Sequence, residues 1–289
     1  QTSIDSRHGQ NNIGPGGAVT LEGGAVAMLD SSIDASTGNV ILTGAHPQNN
    51  GVVLDRGTLP GGSAGPGSRI TTTTGTVTMS GRARGPSSTY MPTAGVLIGG
   101  GSQVVTQGGS INLTGYNSNT IRPTPPTVDP SDPYYWYYWD EYNQQLAQYN
   151  AMIAVIPTIL AQDAGVRIQD GAVVRAGGAG NLAISGRSQN GGVGVDIGYG
   201  MVNPDPTQYY DQYIGVPSPT LPTVQSGGTL AIQAGNDLSQ NALKVDGPIS
   251  AGYAIAIRPG GPTATLANQE APQTPIVVGG NAATGFTVT

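Results

Sequence analysis

Apolar and polar residues alternate along this chain in short runs, as at Val40/Leu42, Val77/Met79 and Ile111/Leu113. Alternation with period two puts the apolar side chains on one face of a β-strand. The runs recur inside one phrase, which occupies 32–44 and 51–55 and returns at 68–81 with 95–98. A third copy lies at 102–115, a fourth at 172–176, 180–186 and 193–197, and a looser one at 228–235. Gly44, Gly81 and Gly115 close successive copies. A repeat of about 35 residues is the mark of a stacked architecture and takes precedence over residue-level assignments.

Each unit holds three strands of four to five residues and no helix between them. Three short strands suit a coil wrapped once round a triangular core, with coils stacked about 4.8 Å apart by strand-to-strand hydrogen bonds. One unit cannot bury its own apolar face, so stacking supplies the core. The closing glycines are expected at corners that require left-handed or otherwise strained backbone. Asn50-Gly51 and Asn190-Gly191 would be hairpin turns in an antiparallel sandwich. Both sit at the same place in the phrase, before the third strand, which is where a coil turns. The expected fold is all-β, a parallel β-helix (β-solenoid) forming a single domain over 1–289.

The phrase Ser-x-Ile-x-Ala-x-x-Gly-x-Val-x-Leu-x-Gly, followed by Gly-Val-x-Leu, stands at residues 32–54. It resembles the shaft repeats of filamentous haemagglutinin-type exoproteins, bacterial adhesins exported by two-partner secretion. The resemblance covers 17–115 and 164–197, and 226–289 more loosely. It implies a right-handed helix displayed outside a Gram-negative-type cell, exported with an outer-membrane secretion partner. The family's secretion domain carries Asn-Pro-Asn motifs, whereas this chain has Asn203-Pro204-Asp205-Pro206. The resemblance is therefore to shaft and not to secretion module. Because the chain begins at Gln1 in mid-pattern, it reads as a processed product or a segment of something longer.

Two insertions break the phrase, at 116–164 and 198–225. The first opens with a stiff Pro-rich stretch at 122–126. Asp132-Pro133 then reads as an N-cap with proline at the first helical position. A helix is expected over about 133–156, with Trp136, Trp139, Tyr142, Leu146, Tyr149 and Ile153 on one face, ended or kinked by Pro157. That face either packs on the flank of the solenoid or meets a partner. Tyr135, Tyr137 and Tyr138 lie off it and need a second surface. The insertion at 198–225, rich in Tyr and Pro, adds Tyr209, Tyr210 and Tyr213. Tyr and Trp give large contact area with a polar handle and concentrate at binding hot spots. Tyr135, Trp136, Tyr137, Tyr138, Trp139, Tyr142, Tyr209, Tyr210 and Tyr213 are accordingly the candidate contact residues.

Composition narrows the remaining choices. With 46 Gly, 22 Pro and only 10% charged residues, a helical bundle or doubly wound enzyme is disfavoured. A net charge of −6 and no run of Lys and Arg argue against a nucleic-acid partner. The absence of Cys removes disulfides and thiol catalysis, and His8 and His46 are isolated, so no metal or other cofactor is expected. Gly191 to Ile197 fits seven positions of a calcium-binding nonapeptide, but that site requires tandem copies and has none. The strand-associated acids Asp34, Asp55, Asp170 and Asp196 make no recurrent column of charge, so no catalytic residue is assigned and the chain is read as a non-enzyme. The expected function is an extracellular structural or adhesive shaft, or filament subunit, on a bacterial outer surface. Its partners are a host or neighbouring-cell protein or glycan, or further copies end to end. The alternative is a carbohydrate-binding or carbohydrate-active β-helix protein.

Overall fold

The computed structural model describes residues 3–5, 17–47, 49–57, 65–86, 93–120, 126–127, 139–160, 162–189, 192–199, 201–202, 216–217, 220–236, 242–259 and 276–277. They form a parallel β-helix. Three sheets of seven strands each, here A, B and C, take their strands in sequence order. Each coil contributes one strand to A, then B, then C, and every neighbouring pair within these sheets is parallel. Coil 4, for example, is Gln103–Thr106, Ile111–Thr120 and Ala164–Gln169.

The alternating pattern becomes aliphatic stacks that run the length of the molecule. In sheet B, Val40, Val77, Ile111, Leu182, Leu230 and Ile255 occupy one register position, and Leu42, Met79, Leu113, Ile184, Ile232 and Ile257 the next inward one. Ile33, Ile70, Val104, Val174, Val224 and Ile249 do the same in sheet A. The middle coils are fully enclosed, whereas Ile255 and Ile257 of coil 7 are only partly buried. Ile184 is 1% exposed. Truncating it leaves a hole between two stacked side chains that the strand ladder prevents from closing. Ile184→Ala is expected to cost about 2–5 kcal/mol, measured by urea denaturation.

The corners solve two problems, close approach and unpaired backbone groups. Gly44, Gly81, Gly115 and Gly186 stand in one register column of sheet B. A Cβ on any of them would run into the carbonyl of Gly51, Gly95, Gly165 or Gly194 at the start of the facing strand of sheet C. None of the four has a positive φ. The expected left-handed corner is thus corrected here: these residues are glycine because two backbones cross. Left-handed glycines occur instead at the corner between C and A, at Gly67, Gly100, Gly101 and Gly171. At the corner between A and B, buried hydroxyls cap the turns. Thr72 Oγ1 donates to the Ser36 carbonyl at 2.6 Å, and Ser226 Oγ donates to the carbonyls of Gly180 and Thr229, each at 3.0 Å.

The strands place the two interruptions at 121–163 and 199–222. The first leaves at the corner between B and C, the second at the corner between C and A. The first carries a helix, Trp139–Leu160, while residues 133–138 lie outside the described residues. Pro157 does not end this helix, which continues to Leu160. A proline inside a helix forfeits one backbone hydrogen bond, and here it stands in the last turn, with three residues after it.

Candidate functional site

The helical insertion is the part of the described chain that the core does not claim. Asp140 and Glu141 sit in its first turn, where carboxylates oppose the positive end of the helix dipole. No strand of the three sheets packs along it. Trp139 is 44% exposed and Ile153 42% exposed, and Tyr142, Leu146 and Tyr149 are half-buried. Among the described residues, then, this face presents Trp139 and Ile153 to solvent beside three half-buried neighbours, with no sheet strand packed along it. Trp139 and Tyr142 stack with ring centroids 5.5 Å apart and planes 30° from parallel, giving one aromatic block. Of the other candidate contact residues, Tyr135, Trp136, Tyr137 and Tyr138 lie outside the described residues, as do Tyr209, Tyr210 and Tyr213. In the second interruption a short antiparallel pair, Met201–Val202 with Val216–Pro217, is described, and Tyr199 at its base is 43% exposed.

Where the helix returns to the solenoid, a buried polar network fills the corner. Asp163 N–H donates to the Leu160 carbonyl at 3.1 Å, and the Asp163 carbonyl accepts from Val193 N–H at 2.7 Å. The Asp163 carboxylate accepts through Oδ1 from Thr93 N–H at 2.7 Å and Thr93 Oγ1 at 3.2 Å. Asn117 Nδ2 donates to the Thr93 carbonyl at 2.8 Å, and Asn236 Nδ2 donates to the Gly192 carbonyl. Asn117, Ser188 and Asn236 are one register column of sheet B, each fully buried. Asp163 Oδ2, also buried, has no hydrogen-bond partner. Burial pushes the Asp163 carboxyl up to about 7, against the hydrogen bonds from Thr93 and the charge of Arg167, which pull it down.

Charge also gathers on the outside of sheet C. Arg167, Asp196 and Lys244 share one register position in coils 4, 5 and 6. Arg167 Nε meets Asp196 Oδ2 at 3.2 Å, and Lys244 Nζ meets Asp246 Oδ2 at 3.2 Å. A column of charged residues therefore exists where none was expected, because it is assembled by register across three coils. Asp196, the acid of the calcium-like stretch, faces Arg167 in it. At the next corner Asp30 accepts from Gly57 and Gly67 N–H, each at 2.9 Å, and Arg56 pairs with Asp170. Burial raises the neighbouring Asp55 carboxyl, the charges of Asp170 and Asp30 add to this, and the Arg56 N–H opposes it. Among the described residues no three His, Asp or Glu side chains converge to hold a metal ion, and no helix is long and apolar enough to cross a membrane.

No known protein family, curated protein or solved structure matches this chain. The functional reading accordingly rests on the geometry and the repeat. The aromatic block was legible in the sequence because tryptophans are rare in it and clustered. The Asp163 network was not, because its members lie at a corner, outside or at the ends of the alternating strands, and far apart in the chain.

Proposed function

We propose that this chain is an extended structural and adhesive shaft displayed outside a bacterial cell, with the helical insertion as its contact element. The observation that carries the reading is the Trp139–Tyr142 stack, with Trp139 exposed and Tyr142 half-buried, on a helix along which no sheet strand packs among the described residues. The seven coils supply length and stiffness, since the strands of coils 2 to 6 are paired to the coils on either side. The likeness of the repeat phrase to haemagglutinin-type shafts supports an outer-surface location and an outer-membrane export partner. The contact sought is a protein or glycan on an opposing cell, or a further copy of the same shaft.

Beads coated with the full chain are expected to adhere to an epithelial or bacterial cell layer. Trp139→Ala/Tyr142→Ala should cut that adhesion tenfold or more, because an exposed tryptophan backed by a stacked tyrosine makes a hot spot. Far-ultraviolet circular dichroism and the thermal midpoint should stay within error of the wild type. Undiminished adhesion by the double variant, or no adhesion by the wild type to either layer, would sink this reading.

A further inference from the structure

The outer face of sheet B carries a charge pattern opposite to that of the molecule as a whole. Its outward charged residues are Glu22 in coil 1, Arg82 and Arg84 in coil 3, Arg187 in coil 5 and Arg258 in coil 7. In coils 3 to 5 that face is purely basic, although the chain bears a net charge of −6. Among the described residues the acids of the same coils lie elsewhere: Asp140 and Glu141 on the inserted helix, Asp170 at the corner between C and A, Asp196 on sheet C, and Asp163 turned into its own corner towards Thr93. No run of basic sequence announces the cluster, because Arg82, Tyr116 and Arg187 come from three coils and meet only through register.

The cluster is built rather than incidental. Arg82 places its guanidinium carbon 4.7 Å from the centroid of the Tyr116 ring, and Tyr116 and Arg187 are each only 9% exposed. Arg82 Nε is buried with no hydrogen-bond partner, and among the described residues no carboxylate pairs with Arg82 or Arg84. A guanidinium taken from water and held on a ring recovers part of its hydration through the cation–π contact. The remainder is uncompensated until an anion arrives. Coil spacing sets Arg82 and Arg187 about 10 Å apart along the stack.

Beside the arginines the same face is uncharged and polar. Thr43, Ser80, Thr114 and Ser185 form one register column, and Thr78 and Asn112 stand next to them. A hydroxyl on each of coils 2 to 5, flanked by arginines, suits a linear polymer with repeated hydroxyl and anionic groups. We infer that the outer face of sheet B across coils 3 to 5 binds an acidic polysaccharide, with Arg82 and Arg84 taking its carboxylate or sulfate groups and the hydroxyl column its sugar hydroxyls. A nucleic acid fits less well, since an acidic chain with three clustered arginines neutralises few phosphates.

The test is isothermal titration of the full chain with polygalacturonate, dextran sulfate and neutral dextran. Binding to either acidic polymer, lost as salt is raised and absent with neutral dextran, is the expected result. The two acidic polymers tell carboxylate from sulfate. Arg82→Gln/Arg84→Gln should raise Kd tenfold or more with an unchanged circular dichroism spectrum. Arg69→Gln/Arg175→Gln removes the same charge from the outer face of sheet A and should leave Kd unchanged. Failure of both acidic polymers to bind, wild-type affinity in the sheet B variant, or equal weakening by the two double variants would overturn the inference. Such a result, with Trp139-dependent adhesion intact, leaves the shaft reading standing, because the two tests use different surfaces.

Discussion

Gly115→Ala is expected to be the most damaging single-methyl change in the middle of the stack, at more than about 4 kcal/mol of stability. The added Cβ would fall inside contact distance of the Gly165 carbonyl oxygen and 2.8 Å from Val166 Cγ2. Neither neighbour can give way. The Gly165 backbone is held by the flanking pairs of sheet C, and Val166 is fully buried. Shifting one strand also misaligns the coils above and below, since in a solenoid each repeat is stabilised by its neighbours. The matching control is Gly24→Ala, where nothing lies within 4 Å of the new methyl, and a change within about 0.5 kcal/mol is expected there. Urea denaturation followed by far-ultraviolet circular dichroism reads both. Equal effects at the two glycines would mean that backbone entropy, and not the crossing of strands, explains the repeat's glycines.

The glycines also show where sequence reasoning stops. Their period was plain and led to the correct fold, but their cause was not, since a glycine forced by a positive φ and one forced by an opposing carbonyl look alike in a sequence. The aliphatic stacks were legible for a related reason: Val40, Val77 and Ile111 hold equivalent places in the phrase, and equivalent places become neighbours once coils stack. Groups that meet at the corners, outside the alternating strands, stayed hidden. Asp163 and Thr93 each stand just before the third strand of adjacent coils, and Asn117 lies near the end of a second strand, so the alternation that marks the strands does not mark them. The face of the helix was ambiguous for a different reason. Its apolar stripe is the same whether it meets the solenoid or a partner.

Register turns a weak sequence bias into a continuous surface. A residue type repeated at one position every coil becomes a column at strand spacing, as with the Ser and Thr hydroxyls of sheet B. A charge that breaks the column is presented on a rigid, regular background. Specificity on such a scaffold therefore comes from exceptions to the repeat, and this chain has two sorts: inserted segments at corners, and substitutions such as Arg82 and Arg187 within a column.

Stability should fall as pH rises from about 4 to about 7 and then level off, with Asp163 responsible for most of the slope. Its carboxyl is 1% exposed and is pushed by burial from an ordinary 3.8 up to about 7. Because the folded pKa lies above the unfolded one, the fold binds the proton more tightly than the unfolded chain does. The contribution is complete below the unfolded value and is lost as pH climbs through the folded value. At 1.36 kcal/mol for each unit, that shift amounts to on the order of 4 kcal/mol. Asp55 is raised as well and adds a smaller slope of the same sign. Asp163→Asn keeps an oxygen for Thr93 N–H and has no proton to lose. It should flatten the curve between pH 4 and 7 and be more stable than the wild type at pH 8. Asp163→Leu removes the acceptor, strands Thr93 N–H in a buried corner and should destabilise at every pH. Denaturation midpoints should be followed by far-ultraviolet circular dichroism, since both tryptophans lie in the insertion and report on the core poorly. If Asp163→Asn ran parallel to the wild type across the whole range, the buried carboxyl would not be the titrating group.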